Sequence, residues 1–543
     1  MTARVPRSSI GVMQHTPMAL RGMVTSPHHL ASQAGLAVLR EGGNAVEAAL
    51  AACSACAVVY PHMNGLAGDG FWLIHEPGKA PVCIDASGAA GGGADPAAYR
   101  ARGLKEMPSA GPLAAATVPG VVSGWQSALE ASARWGGGLP LSRLFEEAIH
   151  HARHGVAATR IVSASMEERR AALFRQPGFA ESFGAWAEPG RILRQPGLAA
   201  LLESLAATGL DDFYRGAVGR HLGEELRKLG SPVTGADLAR HRSVRRRPLS
   251  LAVAGATLYN APPPTQGLTA LMIAGLFDRL KLGRGARARF GVEALHGLVE
   301  AVKPAYEVRD RHITDPVHMT VHAATYLADP VLRRMAREID PGRAGPFGAP
   351  SQAEGDTAWL GVIDGQGRAV SVIQSLRQAW GAGLAVGEFG LLWHNRGIGF
   401  SLDEKSANPL TPGRKPFHTL APAMARFKDG RVMSFGTMGG DGQPQTLSAL
   451  FARYGLYGES LQQAVTAPRW RLDPTPVSPV GRLLLESRFG ADVEMALTRL
   501  GHSVEMAAPY DARMGQAGAL VRHENGLIEG AADPRSDGTV AGF

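Results

Sequence analysis

Cysteine is scarce. Cys53, Cys56 and Cys83 are the three in 543 residues, too few for a disulfide framework in a chain of this size. Lysine is scarce as well: 8 residues, so the net charge of +8 is carried by arginines that are scattered and interleaved with acids. The one basic run, Arg245-Arg246-Arg247, leads straight into Pro248 and a strand-like stretch. Aromatics make up 6% of the chain, and there is no basic stripe with interleaved aromatics, so nucleic-acid binding is excluded. A mildly positive surface of this kind suits small anions. No apolar run reaches the roughly 18 residues of a membrane span; Ala48–Tyr60 is the longest. The first eight residues lack the apolar centre of a secretory signal, so the expected location is the cytoplasm.

Several catalytic signatures are missing too. There is no Gly-x-Ser-x-Gly elbow and no His-Glu-x-x-His, and neither glycine-rich segment ends in the Lys-Ser/Thr of a phosphate loop. Glu146, His150 and His154 share one helical face, as do His318 and His322. Without a further ligand neither set makes a zinc site, and no metal or cofactor is expected. Cys53-Ser-Ala-Cys56 has redox spacing but lies in an alanine-rich helical run, where small residues serve tight packing.

What is present is apolar and glycine-rich. Hydrophobic residues reach 45% and glycine 68 residues, against a usual glycine share of about 7%. The length accommodates two to four domains or one large layered body. His29–Arg40 reads as a helix stopped at Gly42-Gly43, with Asn44 capping the next. Helical periodicity dominates the middle third, for example over Leu141–His154, Leu198–Ala207 and Val292–Asp310. Residues 338–356 have little apolar periodicity and several Pro and Gly, and read as an exposed, mobile linker. A β-hairpin follows at once: Thr357–Ile363, a turn at Asp364–Gly367, and Ala369–Ser375.

Two local features carry chemistry. Gly436-Thr-Met-Gly-Gly-Asp-Gly442 follows an apolar strand, and its backbone N–H groups can form a nest for a phosphate or for a tetrahedral oxyanion. Thr357 stands between a flexible segment and a core strand. A threonine at a chain end brings its own base, an α-amine of pKa about 7.7–8, which activates the hydroxyl. That requires scission of the Asp356–Thr357 bond. From local features alone, the simpler reading of Thr357 is a β-former opening its strand.

The order of motifs resembles one family. Gly42-Gly-Asn-Ala-Val-Glu-Ala-Ala49, Gly65–Phe71, Val118-Pro-Gly120, Asp212-Phe-Tyr-Arg-Gly216, Pro262–Gly267, Ala305–Asp310 and Ala532–Gly538 are similar to segments of the γ-glutamyltranspeptidases, which are N-terminal-nucleophile hydrolases. The resemblance implies an α+β fold, the αββα four-layer sandwich, and a precursor that cuts itself before Thr357. A large subunit, 1–356, and a small one, 357–543, would form one body and pair into a dimer of heterodimers. It also implies Thr357 as nucleophile, Ser375 as the second hydroxyl, and Gly439 and Gly440 as the oxyanion hole.

Departures from the family bear on the substrate. The Arg that holds a glutamyl α-carboxylate corresponds to Ser87, and the Asp that binds its α-amine to Gly399. A Ser-Ser pair becomes His418-Thr419, and an Asn becomes Arg377. Without that charged clamp a glutamyl head group binds poorly. Arg396, with Arg377, His418 and Thr419, suits a small carboxylate lacking an amine, with Trp359 as a pocket wall. Gly355–Trp359, Trp393–Gly397 and Pro416–Leu420 look most like the oxamate amidohydrolase branch, which implies ammonia release from oxamate in purine breakdown. The competing readings are a γ-glutamyl transferase or acylase of the same family, and an uncut protein that only binds.

Overall fold

Asn44 opens the most deeply buried helix of the molecule. Its side chain accepts from the N–H groups of Val46 and Glu47, and Glu47 Oε2 accepts in return from Asn44 N at 2.9 Å, a reciprocal cap that satisfies the first-turn donors. The helix it starts, Ala45–Val59, is buried at every position, because a run of Ala, Cys, Val and Leu has no polar face to give to water. Burial pushes the Cys56 thiol up to about 12 and Cys53 upward as well, so both are packing residues. Structure is described here for residues 15–282, 289–348 and 355–543 of a computed structural model; the expected signal-free start and part of the expected linker, 349–354, lie outside them.

Two seven-stranded antiparallel sheets stack face to face. One has the order Thr539–Gly542, Gly22–Ser26, Asp356–Asp364, Ala369–Arg377, Asp69–His75, Val82–Ala86, Val244–Arg246. The other runs Met18–Ala19, Ile528–Ala532, Ala517–Arg522, Val432–Thr437, Ala423–Phe427, Ala256–Asn260, Leu249–Val253. Period-2 alternation divides each strand between two cores. In Asp356–Asp364, Ala358, Leu360 and Val362 face the helices His29–Arg40 and Ala45–Val59, while Trp359 and Ile363 face the second sheet. The helices Gly267–Leu280, Val292–His312 and Gln443–Phe451 cover the far side of that second sheet. The result is the αββα sandwich that the resemblance implied.

Two expectations need correction. The run Leu141–His154 is two helices, Leu141–Leu144 and Glu146–His154, broken at Phe145. The middle third is otherwise mostly helical, as expected, and the strand-like stretch after Pro248 is the strand Leu249–Val253, flanked by Val244–Arg246 and Ala256–Asn260. Residues 338–348 are mostly exposed, as expected, but are anchored rather than loose. Ala344 N donates to Leu500 O and Phe347 N to Pro479 O, both at 2.7 Å, while Lys303 Nζ donates to Gly345 O at 2.6 Å. Ala344 and Phe347 are buried. Two apolar side chains without periodicity are enough to dock a segment once backbone partners are at hand.

Candidate active site

The strand register assembles the site at one end of the sandwich. Asp69 pairs with Ser375, and Asp356 with Arg377. A register shift between Asp356 and Ala358 sets Thr357 beside Ser375. Thr357 Oγ1 donates to Ser375 Oγ at 3.4 Å, and Ser375 Oγ donates to the Asp356 carbonyl oxygen at 2.5 Å. Ser375 Oγ also accepts from Arg377 N at 2.8 Å, and Asp356 Oδ2 accepts from Ala379 N at 2.8 Å. Two hydroxyls and the carbonyl of the 356–357 peptide thus form one relay, with Thr357 and Ser375 buried. A hydroxyl next to a carbonyl whose oxygen already receives a hydrogen bond is suited to acyl transfer. Arg377 has φ +83, a conformation unusual for a side-chain-bearing residue and of the kind that gathers at functional sites.

The glycine-rich turn faces this relay from the second sheet. It follows the strand Val432–Thr437, with φ +122 at Gly439 and +51 at Gly440, left-handed values that glycine accepts without strain. A Cβ on Gly440 would come within 2.6 Å of Gly355 N, so the turn lies against the backbone leading to Thr357. Residues far back in the chain hold the turn. Gln266 Nε2 donates to Gly440 O and to Thr419 O, each at 2.7 Å, and Gln266 Oε1 accepts from Arg309 Nη1 at 3.3 Å. Tyr306 donates its hydroxyl to Asp441 O, and the Arg309 guanidinium stacks 3.8 Å from the Tyr306 ring centroid. Burial pushes the Asp441 carboxyl up, against Arg309 and Arg377.

A charged cluster completes the site. Arg396 is fully buried, with Nη1 3.5 Å from Thr419 Oγ1 and Nε 3.6 Å from Asp69 Oδ2. His394 Nδ1 lies 3.1 Å and His418 Nε2 3.8 Å from the same oxygen. Arg396 Nε and Nη2 and both His418 ring nitrogens have no hydrogen-bond partner among the described residues. Buried guanidinium donors are rarely left so, and a bound anion would satisfy those of Arg396. Burial, with Arg377 nearby, brings the Arg396 pKa down to about 9, against the pull of Asp69 and Asp441. Burial and Arg396 also hold His418 well below its ordinary value, leaving it neutral.

The expected site residues therefore divide. Thr357, Ser375, Gly440, Arg377, Arg396, His418 and Thr419 are linked through the contacts above, and Gly439 adjoins Gly440 in the turn. Trp359 is instead a core residue: its indole lies over Gly436 and Gly518 of the facing sheet, with Nε1 2.8 Å from Ser371 Oγ. Asp69, Gln266 and Arg309 were not singled out from the sequence. The Gly-Asp-Gly run at 68–70, an acid in an otherwise apolar strand, was the available signal for Asp69. At the positions of the family's amino-acid clamp, Ser87 Oγ is turned to Asp85 Oδ1 at 2.5 Å. A Cβ on Gly399 would lie 2.7 Å from Phe417 O, so this backbone leaves no room for an Asp there. The group with metal-like spacing, His296, Glu300 and His502, is not one expected from the sequence. His296 Nδ1 and His502 Nε2 are already 2.8 Å apart, and Lys303 Nζ stands 2.6 Å from Glu300 Oε1, an ammonium where a cation would go.

Two stacked sheets between helical layers, with a hydroxyl residue heading a central strand, define an N-terminal-nucleophile hydrolase. The gamma-glutamyltranspeptidase family model matches residues 31–543, and the chain belongs to that family. It is 48% identical to the oxamate amidohydrolase proenzyme of Klebsiella pneumoniae, over 98% of this chain and 100% of that protein. It is 36% identical to the glutathione hydrolase-like YwrD proenzyme of Bacillus subtilis, over 98% and 100%. Among solved structures, cephalosporin acylase from Bacillus halodurans superposes with a TM-score of 0.88 at 29% identity, covering 100% of this chain and 99% of that one. The protein is an enzyme of amide hydrolysis.

Proposed function

We propose that this chain is an autoprocessed amidohydrolase that releases ammonia from a small carboxylate-bearing amide, with oxamate, the substrate in its Klebsiella relative's name, giving oxalate. The observation that carries the reading is the relay Thr357 Oγ1–Ser375 Oγ–Asp356 O. In the precursor, Thr357 Oγ attacks the Asp356 carbonyl carbon while the Ser375 hydroxyl stabilises the charge growing on its oxygen. The C–N bond breaks as the hydroxyl proton passes to the departing Thr357 nitrogen, leaving an ester that water hydrolyses to an Asp356 carboxylate and restores the Thr357 hydroxyl beside its free α-amine. The products are chains of 356 and 187 residues (543 − 356 = 187).

In turnover, Thr357 Oγ attacks the substrate amide and the α-amine accepts its proton. The N–H groups of Gly439 and Gly440 receive the tetrahedral oxyanion, one such donor being worth about 3–4 kcal/mol. The amine then protonates the departing ammonia, and water, deprotonated by the same amine, hydrolyses the acyl-enzyme. Arg396 grips the substrate carboxylate, with Arg377, His418 and Thr419 around it. A buried guanidinium favours a short anion over the long acyl group of an acylase substrate, and the loss of the Arg–Asp clamp disfavours a glutamyl head group.

The test is direct. Purified protein should give two bands on denaturing electrophoresis, a second N-terminal sequence reading Thr-Ala-Trp-Leu, and ammonia from oxamate but little aniline from γ-glutamyl anilide. Thr357→Ala should remain one chain of 57.1 kDa without amidase activity; an uncut variant with full activity would overturn the reading.

A further inference from the structure

Asp69 sits two strands over from Thr357, directly opposite Ser375 of the strand between them. The strands run unusually close there, since a Cβ on Gly68 would come within 2.5 Å of Ser375 O. The carboxylate is wholly buried, and its two oxygens do different things. Oδ1 accepts from Gly88 N at 3.0 Å, which fixes the group to the neighbouring strand end. Oδ2 faces three bases: His394 at 3.1 Å, Arg396 at 3.6 Å and His418 at 3.8 Å. His394 is itself anchored by Thr117, whose Oγ1 and O lie 3.0 and 2.9 Å from Nε2.

Removing one partner of a buried ion pair leaves an uncompensated charge, which is why such charges are held in place by their counter-ions. With Nε beside Asp69 and Nη1 beside Thr419, the Arg396 guanidinium is constrained on two sides, and Nη2 is left without a partner among the described residues. We infer that Asp69 is the positioning residue that fixes Arg396 as the carboxylate grip, so that Asp69 sets the preference for an anionic amide over its neutral isostere. The inference rests on the amidase reading above.

The charged and titratable groups facing Arg396 are Asp69, Arg377, Asp441 and His418. Burial works against the Asp69 charge, yet His394, His418 and Arg396 hold its carboxyl below the ordinary range. Asp69 is therefore an anion throughout the working pH range and favours the charged form of Arg396. Without it, Arg396 would lose its proton at lower pH.

The experiment compares wild type with Asp69→Asn on oxamate and on oxamide, its neutral isostere. In the variant, the preference for oxamate in kcat/KM should fall by about tenfold or more, with the loss in KM and kcat for oxamate within about threefold. The rise of that KM at alkaline pH should begin at lower pH than in wild type, a shift that a purely structural role would not produce. Asp69→Ser, which keeps an acceptor for Gly88 N–H, carries the same comparison if the asparagine variant does not mature. A mature variant that keeps the preference within about twofold overturns the inference, as does failure of both variants to mature, which would make Asp69 a folding residue. Oxalate calorimetry separates this from the substrate reading. If wild type binds oxalate but does not turn over oxamate, the substrate is wrong and Asp69 is judged by whether Asp69→Asn loses oxalate affinity; no oxalate binding by wild type overturns both.

Discussion

Ser375→Ala removes one oxygen and leaves both hairpin strands paired. Three contacts are lost: the donation to Asp356 O at 2.5 Å, the acceptance from Thr357 Oγ1 at 3.4 Å and the acceptance from Arg377 N at 2.8 Å. Leaving the Arg377 N–H without an acceptor costs about 1–3 kcal/mol of stability, against a typical total of about 5–15 kcal/mol, so the variant folds. The long contact to Thr357 contributes little. The donation to Asp356 O is different, because that oxygen takes up negative charge when Thr357 Oγ attacks. Removing one such donor slows acyl transfer by about 10²–10³-fold. The assay is a time course of freshly purified precursor on denaturing gels, following the 356- and 187-residue products. Maturation should slow at least about hundredfold, and Ser375→Thr, which restores a hydroxyl, should recover part of the rate. Ser375→Ala maturing at the wild-type rate would refute the relay and move carbonyl stabilisation to another group.

Two further outcomes follow from the same geometry. Gln266→Leu leaves Gly440 O and Thr419 O without their shared donor, so the glycine turn loses its register; steady-state ammonia release should show kcat down by about ten- to hundredfold with KM within about twofold. The pH dependence has two limbs. On the proposed mechanism the rate should rise as the Thr357 α-amine becomes free base, around the ordinary α-amine pKa of about 7.7–8. Arg396, brought down to about 9 by burial and Arg377, keeps its proton below that pH and sheds it above. KM for an anionic amide should therefore be flat to about pH 9 and then rise about tenfold per unit, while KM for oxamide stays level; a flat oxamate KM to pH 10.5 would remove Arg396 from the grip.

How much of this was legible in the sequence depends on the range of the interaction that fixes each part. The Asn44 cap and the 357–375 hairpin were readable because their determinants lie within a few residues of one another. Phe145 breaks an otherwise continuous amphipathic run, and no Gly or Pro marks the break. The exposure of the linker was readable, but its anchoring was not, because Ala344 and Phe347 dock through backbone bonds to Leu500 and Pro479, partners more than a hundred residues away. The anion cluster was half visible: the departures from the family motif pointed to Arg396, but its counter-ion stands in the first strand of the hairpin's neighbour, 327 positions earlier (396 − 69 = 327). Nothing local joins the two; the register that sets Asp69 opposite Ser375, with the bridge Ala67↔Trp393 and the bond from His394 N to Ala67 O, does.

That register also bears on what scission at Thr357 would change. In the first sheet, strands from before and after residue 356 interleave: Thr539–Gly542, Gly22–Ser26, Asp356–Asp364, Ala369–Arg377, Asp69–His75. Gln266, Arg309, Tyr306 and Asp69 lie on one side of the bond, and Thr357, Ser375, Arg396 and the glycine turn on the other. Cutting the chain therefore leaves the cores and the cross-chain hydrogen bonds in place. Of the strand's ladder, the pair Asp356↔Arg377 alone stands on the departing side. Its loss would uncover the Arg377 backbone and the space between Gly440 and Thr357 that Gly355 and Asp356 fill in the uncut chain. In the proposed turnover the substrate oxyanion passes to Gly439 and Gly440, so that self-cleavage and amide hydrolysis share the attacking Thr357 Oγ but not the donor that stabilises the carbonyl oxygen.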